Sequence, residues 1–308
     1  MAARTASVGV DVDSLCHYYR IHGLDESAAT NAAWEIGVPR FVELFAEVGV
    51  PATFYCIAED LETPGNAGRV RDLADAGHEV GNHTLHHRYD LSRLPPADMQ
   101  REVAVARERL ETAAGAPVVG FRAPGYNTTE ALMGAVFDAG HLYDTSIFPC
   151  APYYLAKASV LGWMKVRGRQ SRSVLGNPSV LTAPADPYTM ALGDPHRRGD
   201  DGGLQYPVSV AAGVPLIGTA FSALGVHGSL TAARVGLRLR KHLTIEFHAV
   251  DLLGLKDDSL DLTLAMQPDL KISVSQKRET FKKVLELIAR RTRFERLDTL
   301  AREQGALT

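Results

Sequence analysis

The first half of this chain keeps a tight rhythm. Short apolar runs alternate with amphipathic or turn-rich stretches. Val8-Gly-Val-Asp-Val-Asp13 alternates with period two, and residues 51–57, 79–82, 118–122 and 141–147 also read as strands. Between them, helical spacing appears over 31–48, with Phe41, Leu44, Phe45 and Val48 on one face, and again over 67–76, 98–115 and 128–139. Asn31 is a candidate cap for the first helix, and Gly49 and Gly77 are candidate stops. A parallel neighbour needs a crossover connection, and a helix supplies it. The rhythm therefore predicts an α/β fold, a parallel sheet or barrel.

The rest of the chain departs from that rhythm. Residues 14–31 read as a polar loop carrying histidine and tyrosine. Residues 153–172 are apolar on one side and carry Lys157, Lys165, Arg167, Arg169 and Arg172. The Gly-, Asp- and Arg-rich segment 186–203 reads as a long exposed loop. Residues 204–210 and 243–248 read as strands, 231–242 as a basic helix, 279–291 as a closing helix and 294–297 as a last short strand. No composition shift forces a boundary. One domain over 1–308 is expected, with an inserted region at about 150–206.

Composition narrows the function. A net charge of −3 argues against nucleic acid as a partner. Three scattered cysteines (Cys16, Cys56, Cys150) make neither a disulfide framework nor a Cys-x-x-Cys site. No apolar core of signal-peptide length precedes the first strand, so the expected location is cytoplasmic.

The chemistry gathers at the ends of the expected strands. Four of the eleven histidines fall in His78-Glu-Val-Gly-Asn-His-Thr-Leu-His-His87. If the turn after the strand is helical, His83 and His87 share one face and aim at one point. Asp11 and Asp13 share a face at the end of the first strand, where two carboxylates are costly unless a cation sits between them. Arg122, Asp144 and His248 end later strands. In barrels of this kind functional groups sit at the carboxyl ends of strands. One Asp and two His are enough protein ligands for a catalytic divalent metal with an open position. The other Asp is then a candidate base, and His248 a candidate acid, for amide hydrolysis.

These residues resemble a known family. Asp11-Val-Asp13, His83-Thr-Leu-His-His87, Arg122-Ala-Pro-Gly125, Tyr143-Asp144 and Ile245-Glu-Phe-His248 follow the order of the five motifs of the polysaccharide deacetylases (carbohydrate esterase family 4, NodB homology). The resemblance runs from about residue 8 to residue 248. It implies a distorted (β/α) barrel, seven-stranded, in which Asp13, His83 and His87 bind a divalent metal, most often Zn2+, with Co2+, Ni2+ or Mn2+ as alternatives. By the same resemblance Asp11 is the base and Arg122 holds it. A backbone N–H near Gly125 and Tyr126 serves the oxyanion, and His248 is the acid, oriented by Asp144. The first motif departs from the usual adjacent aspartates, and the Asp-x-Asp form resembles the branch with cytoplasmic members. Gly125 stands where a tyrosine is usual.

The expected substrate is an N-acylated amino sugar, acetyl or formyl. A lipid-linked sugar is one form of it, because the basic stretch 153–172, with Tyr153, Tyr154 and Trp163, could lie on an anionic membrane surface. The competing reading of that stretch is a packing helix with a solvated basic face. Two other functions stay open: a metal-independent cyclic-amide hydrolase of the allantoinase type, and an inactive carbohydrate-binding barrel. Oligomeric state is not legible.

Overall fold

The protein is described by a computed structural model covering residues 4–22, 25–166, 174–200 and 202–305. Strand β1 (Thr5–Val12) leads into helix α1 (Leu15–His22) and α2 (Val38–Val48). There follow β2 (Thr53–Cys56), α3 (Asn66–Asp75), β3 (Glu79–Asn82), α4 (Pro96–Ala114), β4 (Gly120–Phe121), α5 (Glu130–Asp138) and β5 (Tyr143–Asp144). Helix α6 (Ala151–Val166) precedes β6 (Tyr188–Ala191), β7 (Asp194–Arg198), β8 (Leu204–Gln205), β9 (Val210–Ala211) and β10 (Val214–Pro215). Helix α7 (Gly218–Leu239), β11 (His242–His248), α8 (Val274–Ala289), β12 (Arg293–Phe294) and α9 (Leu297–Gly305) complete the described chain.

The main sheet runs β11-β1-β2-β3-β4-β5-β8, every pair parallel, and continues antiparallel into the β6–β7 hairpin. The connection after β8 joins the two ends of this parallel run. Tyr206 N–H donates to Asp144 O (2.8 Å), Val208 N–H to Ile147 O (2.8 Å) and Ser209 N–H to Thr244 O (3.0 Å). Ile217 then bridges Glu246. The result is the α/β barrel that the strand–helix rhythm predicts.

Register decides where the chemistry lies. Asp11 pairs with His248 on one side and Tyr55 on the other, Cys56 with Asn82, Asn82 with Phe121, and Phe121 with Asp144. The carboxyl ends are thus level around the rim, and whatever follows each strand meets the others there.

The core is packed by α2, α7 and α8. On α2, Phe41, Leu44 and Phe45 are fully buried at helical spacing, and Gly49 ends the helix in the left-handed region (φ 74°) by donating to Phe45 O at 2.8 Å. Phe41, Phe247 and Phe281 meet with ring centroids 4.8–6.4 Å apart. Each such ring contributes about 1.5–3 kcal/mol by burial.

Several expectations need correction. Residues 15–22 form α1 rather than loop, because Leu15 and Tyr19 are buried while Tyr18 faces a cavity. The expected loop 186–203 contains the β6–β7 hairpin, turned at Gly193 (φ 82°). The basic helix begins much earlier than 231, at Gly218. In α6, Tyr153 faces the cavity, the Tyr154 hydroxyl donates to Gly176 O, and Lys157 Nζ donates to Gly125 O. That face of α6 packs against the protein, whereas Leu155 and Trp163 are exposed. Arg167, Arg169 and Arg172 lie outside the described residues. Among the described residues no helix is long and apolar enough to cross a membrane.

Candidate active site at the carboxyl rim

Asp13, His83 and His87 come together although they follow different strands. His83 Nε2 and His87 Nε2 each lie 3.4 Å from Asp13 Oδ1, and the facing atoms of the three fall within 4.8 Å of one another. The turn that joins the histidines is not helical. Thr84 and His87 adopt positive φ (73° and 50°), so the two rings meet through a tight non-helical turn with centroids 4.8 Å apart. Asn82 Oδ1 accepts from Thr84 N–H (2.8 Å), and Thr84 Oγ1 accepts from His87 N–H (3.1 Å). His86 points elsewhere, to Glu102.

The donor set fits a divalent cation. His83 Nδ1 lies 2.7 Å from Arg122 O, which fixes the proton there and leaves Nε2 bare toward Asp13. Asp13 Oδ1 is buried and has no hydrogen-bond partner. A carboxylate oxygen orphaned between two imidazole nitrogens is costly unless a cation completes it. Burial alone would raise the Asp13 carboxyl, but His87 and His83 hold it well below the usual range. Burial pushes His87 far down. A neutral imidazole is the form that ligates. Behind His87 stands His17, with ring centroids 5.1 Å apart and its Nε2 3.2 Å from Asp60. Asp60 also accepts from Ser14 (2.5 Å) and Trp34 (2.9 Å). This buried backing had no motif to announce it.

Asp11 lies beside the cluster, with Oδ2 3.8 Å from His83 Nε2. Its other oxygen accepts from Arg122 Nη1. Arg122 is fully buried, stacks 4.2 Å over the Tyr55 ring and donates to Thr145 Oγ1 (3.3 Å). The room for it comes from Gly9, where a Cβ would sit 2.8 Å from Arg122 Nη2.

His248 ends β11 and faces the same cavity. The short turn after it is capped reciprocally. The His248 ring accepts from the Asp251 backbone N–H, and Asp251 Oδ2 accepts from His248 N–H (2.8 Å). Burial disfavours the imidazolium, but Glu246, then Asp11, Asp13 and Asp251, outweigh it and raise the ring to about 9. Protonation exchanges the cap bond for the field of those carboxylates.

Asp144 does not take the place expected of it. It is fully buried, accepts from Ser146 N–H (3.0 Å) and Ser146 Oγ, and does not line the cavity. Burial raises it to about 6. It fixes the turn after β5, and Ser146 Oγ in turn accepts from Ala123 N–H (2.7 Å). The carboxylate near His248 is Glu246, with Oε1 3.8 Å from Nε2. Tyr126 also differs from expectation. Its N–H donates to Ala123 O (3.2 Å) and its hydroxyl to Glu246 Oε1, so it braces Glu246 rather than offering a spare donor. Gly125 (φ 65°) lines the cavity, and a Cβ there would meet Tyr89 at 2.9 Å. Glu246 sits inside a motif read for its histidine, and Asp251 follows it. Period-two alternation on β11 was the available signal for Glu246.

The cavity holds about 260 Å3 and is lined by Tyr18, Tyr89, Tyr126 and Tyr153 as well as the polar groups above. Fold and site together define an α/β barrel whose rim carries a metal-competent Asp/His/His cluster beside an Asp–Arg pair and a histidine. Residues 31–143 match the polysaccharide deacetylase family model. It is 26% identical over 165 residues to the peptidoglycan deacetylase of Helicobacter pylori, an alignment covering 51% of this chain and 54% of that one. The chain thus spans about half the length of that curated relative. The crystal structure of a presumed polysaccharide deacetylase from Mycobacterium smegmatis superposes with TM-score 0.60 at 16% identity, over 99% of this chain and 92% of that one. PuuE allantoinase superposes with TM-score 0.59 at 14% identity, over 99% and 91%. At these identities both structures speak for the fold alone.

Proposed function

We propose that the chain is a metal-dependent hydrolase that removes an N-acyl group from an amino sugar. The observation that carries this reading is the convergence of Asp13, His83 and His87 around an orphaned carboxylate oxygen, with Asp11 and His248 facing the same cavity. The family match and the curated deacetylase relative support it. Asp13, His83 and His87 would hold the cation, which when bound polarises a carbonyl oxygen and acidifies water. Asp11, aimed by Arg122, accepts a proton from the attacking water. His248 donates a proton to the leaving nitrogen, so water and amide end as carboxylate and amine. A positioned acid or base of this kind is worth about 10²–10⁴-fold in rate. The aromatic walls suit a sugar ring, whose C–H face packs on tyrosine.

Elemental analysis of the purified protein, paired with His83→Ala, tests the reading. The expected result is about one equivalent of zinc or a similar ion, lost in the variant, together with acetate or formate release from N-acyl amino sugars. Folded protein that takes up no metal after zinc soaking would overturn it in favour of metal-independent cyclic-amide hydrolysis.

A further inference from the structure

The cavity has a second acidic wall that the chemistry above leaves unused. Among its described lining residues are four aspartates, Asp11, Asp13, Asp251 and Asp269, and no lysine or arginine. Asp11 is matched by Arg122, and Asp13 by two histidines. Asp251 feels His248 and Lys277 only at a distance, and among the described residues neither Asp251 nor Asp269 has a side-chain ion pair.

Asp251 is 1% exposed. One oxygen takes the His248 N–H, and Oδ1 has no hydrogen-bond partner. Burial raises its carboxyl, His248 opposes that, Asp269 adds to it, and the balance is about 7. The positive groups nearby are already committed. Lys277 Nζ donates to the carbonyls of Leu253 (2.5 Å) and Asp269 (3.0 Å). The amino end of α7 at Gly218 lies against Asp251 but supplies only about half a charge. Tyr18 lines the same cavity as Asp13, Asp251 and Asp269. A sugar hydroxyl could satisfy Asp251 Oδ1 but would not relieve the repulsion between the two carboxylates. An ammonium group does both, and the face of Tyr18 favours it further.

We propose that the substrate carries a free, positively charged amine, seated between Tyr18 and the Asp251–Asp269 pair while its amide lies at the Asp13 end. The class is an N-acylated compound with a second, unacylated amino group, such as a partly deacetylated amino-sugar oligomer. The placement of the amide rests on the hydrolase reading above. Phosphorylated sugars do not fit this wall.

The test is calorimetric binding to the zinc-loaded full chain at neutral pH, which needs no turnover. The probes are a disaccharide with one free amine and one N-acetyl group, its fully acetylated counterpart, and N-acetylglucosamine 6-phosphate, which carries phosphate but no free amine. The amine-bearing disaccharide is expected to bind at least about tenfold tighter than the acetylated one. Asp269→Asn should erase the preference, and Asp251→Asn serves as the second variant. Equal affinity for both disaccharides, or tighter binding of the phosphate, would overturn the proposal. Acetate release from both disaccharides with equal kcat/KM would remove the amine subsite and leave the hydrolase reading standing. Amine-selective binding without acetate release would do the reverse.

Discussion

Glu246 stands two residues before His248 on β11, and its buried Oε1 lies 3.8 Å from His248 Nε2. Residues two apart on a strand share a face, so backbone geometry alone sets this pair. Tyr126 donates to the same carboxylate, while Arg122 lies near enough to favour its ionised form against burial. Glu246, rather than Asp144, is therefore the carboxylate that supports His248.

The pair makes a prediction about pH. His248 is raised to about 9, so its protonated form persists through neutral pH and is lost as pH rises through that value. Glu246→Gln removes the largest of the charges that raise it. The alkaline limb of the pH–rate profile should move down by about one unit or more, a tenfold loss per unit above the limb. Asp144→Asn should leave the limb in place. An unmoved limb in Glu246→Gln would show that Glu246 does not act on His248.

Gly9 gives a steric prediction. An added Cβ would meet Arg122 Nη2 at 2.8 Å and Tyr55 Cε2 at 3.0 Å, in a core where neither fully buried group has room to retreat. Overpacking of this kind costs about 1–3 kcal/mol. Gly9→Ala should lower stability by that amount in urea titration. It should lower kcat/KM by about 10²-fold, because Asp11 loses its brace. A stable variant with full activity would mean that Asp11 is aimed without Arg122.

Glu79 carries a stability signature. It is buried, accepts from Thr53 Oγ1 (2.6 Å) and the Tyr143 hydroxyl (2.8 Å), and is raised to about 7 by burial and then by Asp298. A carboxyl raised in the folded state binds more protons there than in the unfolded chain. Its contribution is complete below the ordinary carboxyl range and is lost as pH rises through about 7. The loss is on the order of 1–3 kcal/mol. Glu79→Gln lacks it, so the variant should gain on the parent between pH 5 and pH 8 in chemical denaturation. Parallel stability curves for the two proteins would refute the assignment.

Legibility in the sequence followed the length of the local signal. The α/β alternation was readable because α2 and α4 bury a clear helical face, and because β1 and β11 are long. Strands β4, β5 and β8 are two residues each, and they hold their place through register rather than pattern. Asp13, His83 and His87 were legible as motif residues, yet the helix expected to align the histidines is absent. The alignment comes from positive φ at Thr84 and His87, which side chains of that type rarely announce. Glu246 and Asp251 escaped notice because carboxylates beside a histidine at a strand end look like ordinary strand and turn residues until the cavity is seen. Asp144 was misread because proximity to a strand end says nothing about which way the carboxylate hydrogen-bonds.

The Thr84 turn yields the last prediction. Asn82 is fully buried and bonds in three directions: Oδ1 accepts from Thr84 N–H (2.8 Å), Nδ2 donates to Val103 O (2.9 Å), and Nδ2 meets His141 Nε2 at 3.1 Å. Thr84 then holds His87 through its own hydroxyl, so Asn82 aims His87 without touching it. Asn82→Ala leaves buried donors and acceptors unpaired, which costs on the order of 1–3 kcal/mol. It also frees the turn to leave its positive φ. Supports of this kind typically hold 10–100-fold of metal affinity, and a fall of that size is expected in a chelator competition. Asn82→Asp keeps the Oδ1 acceptor for Thr84 and should retain more of the affinity than Asn82→Ala. If both variants bind zinc as the parent does, the turn is held by the sheet and not by Asn82.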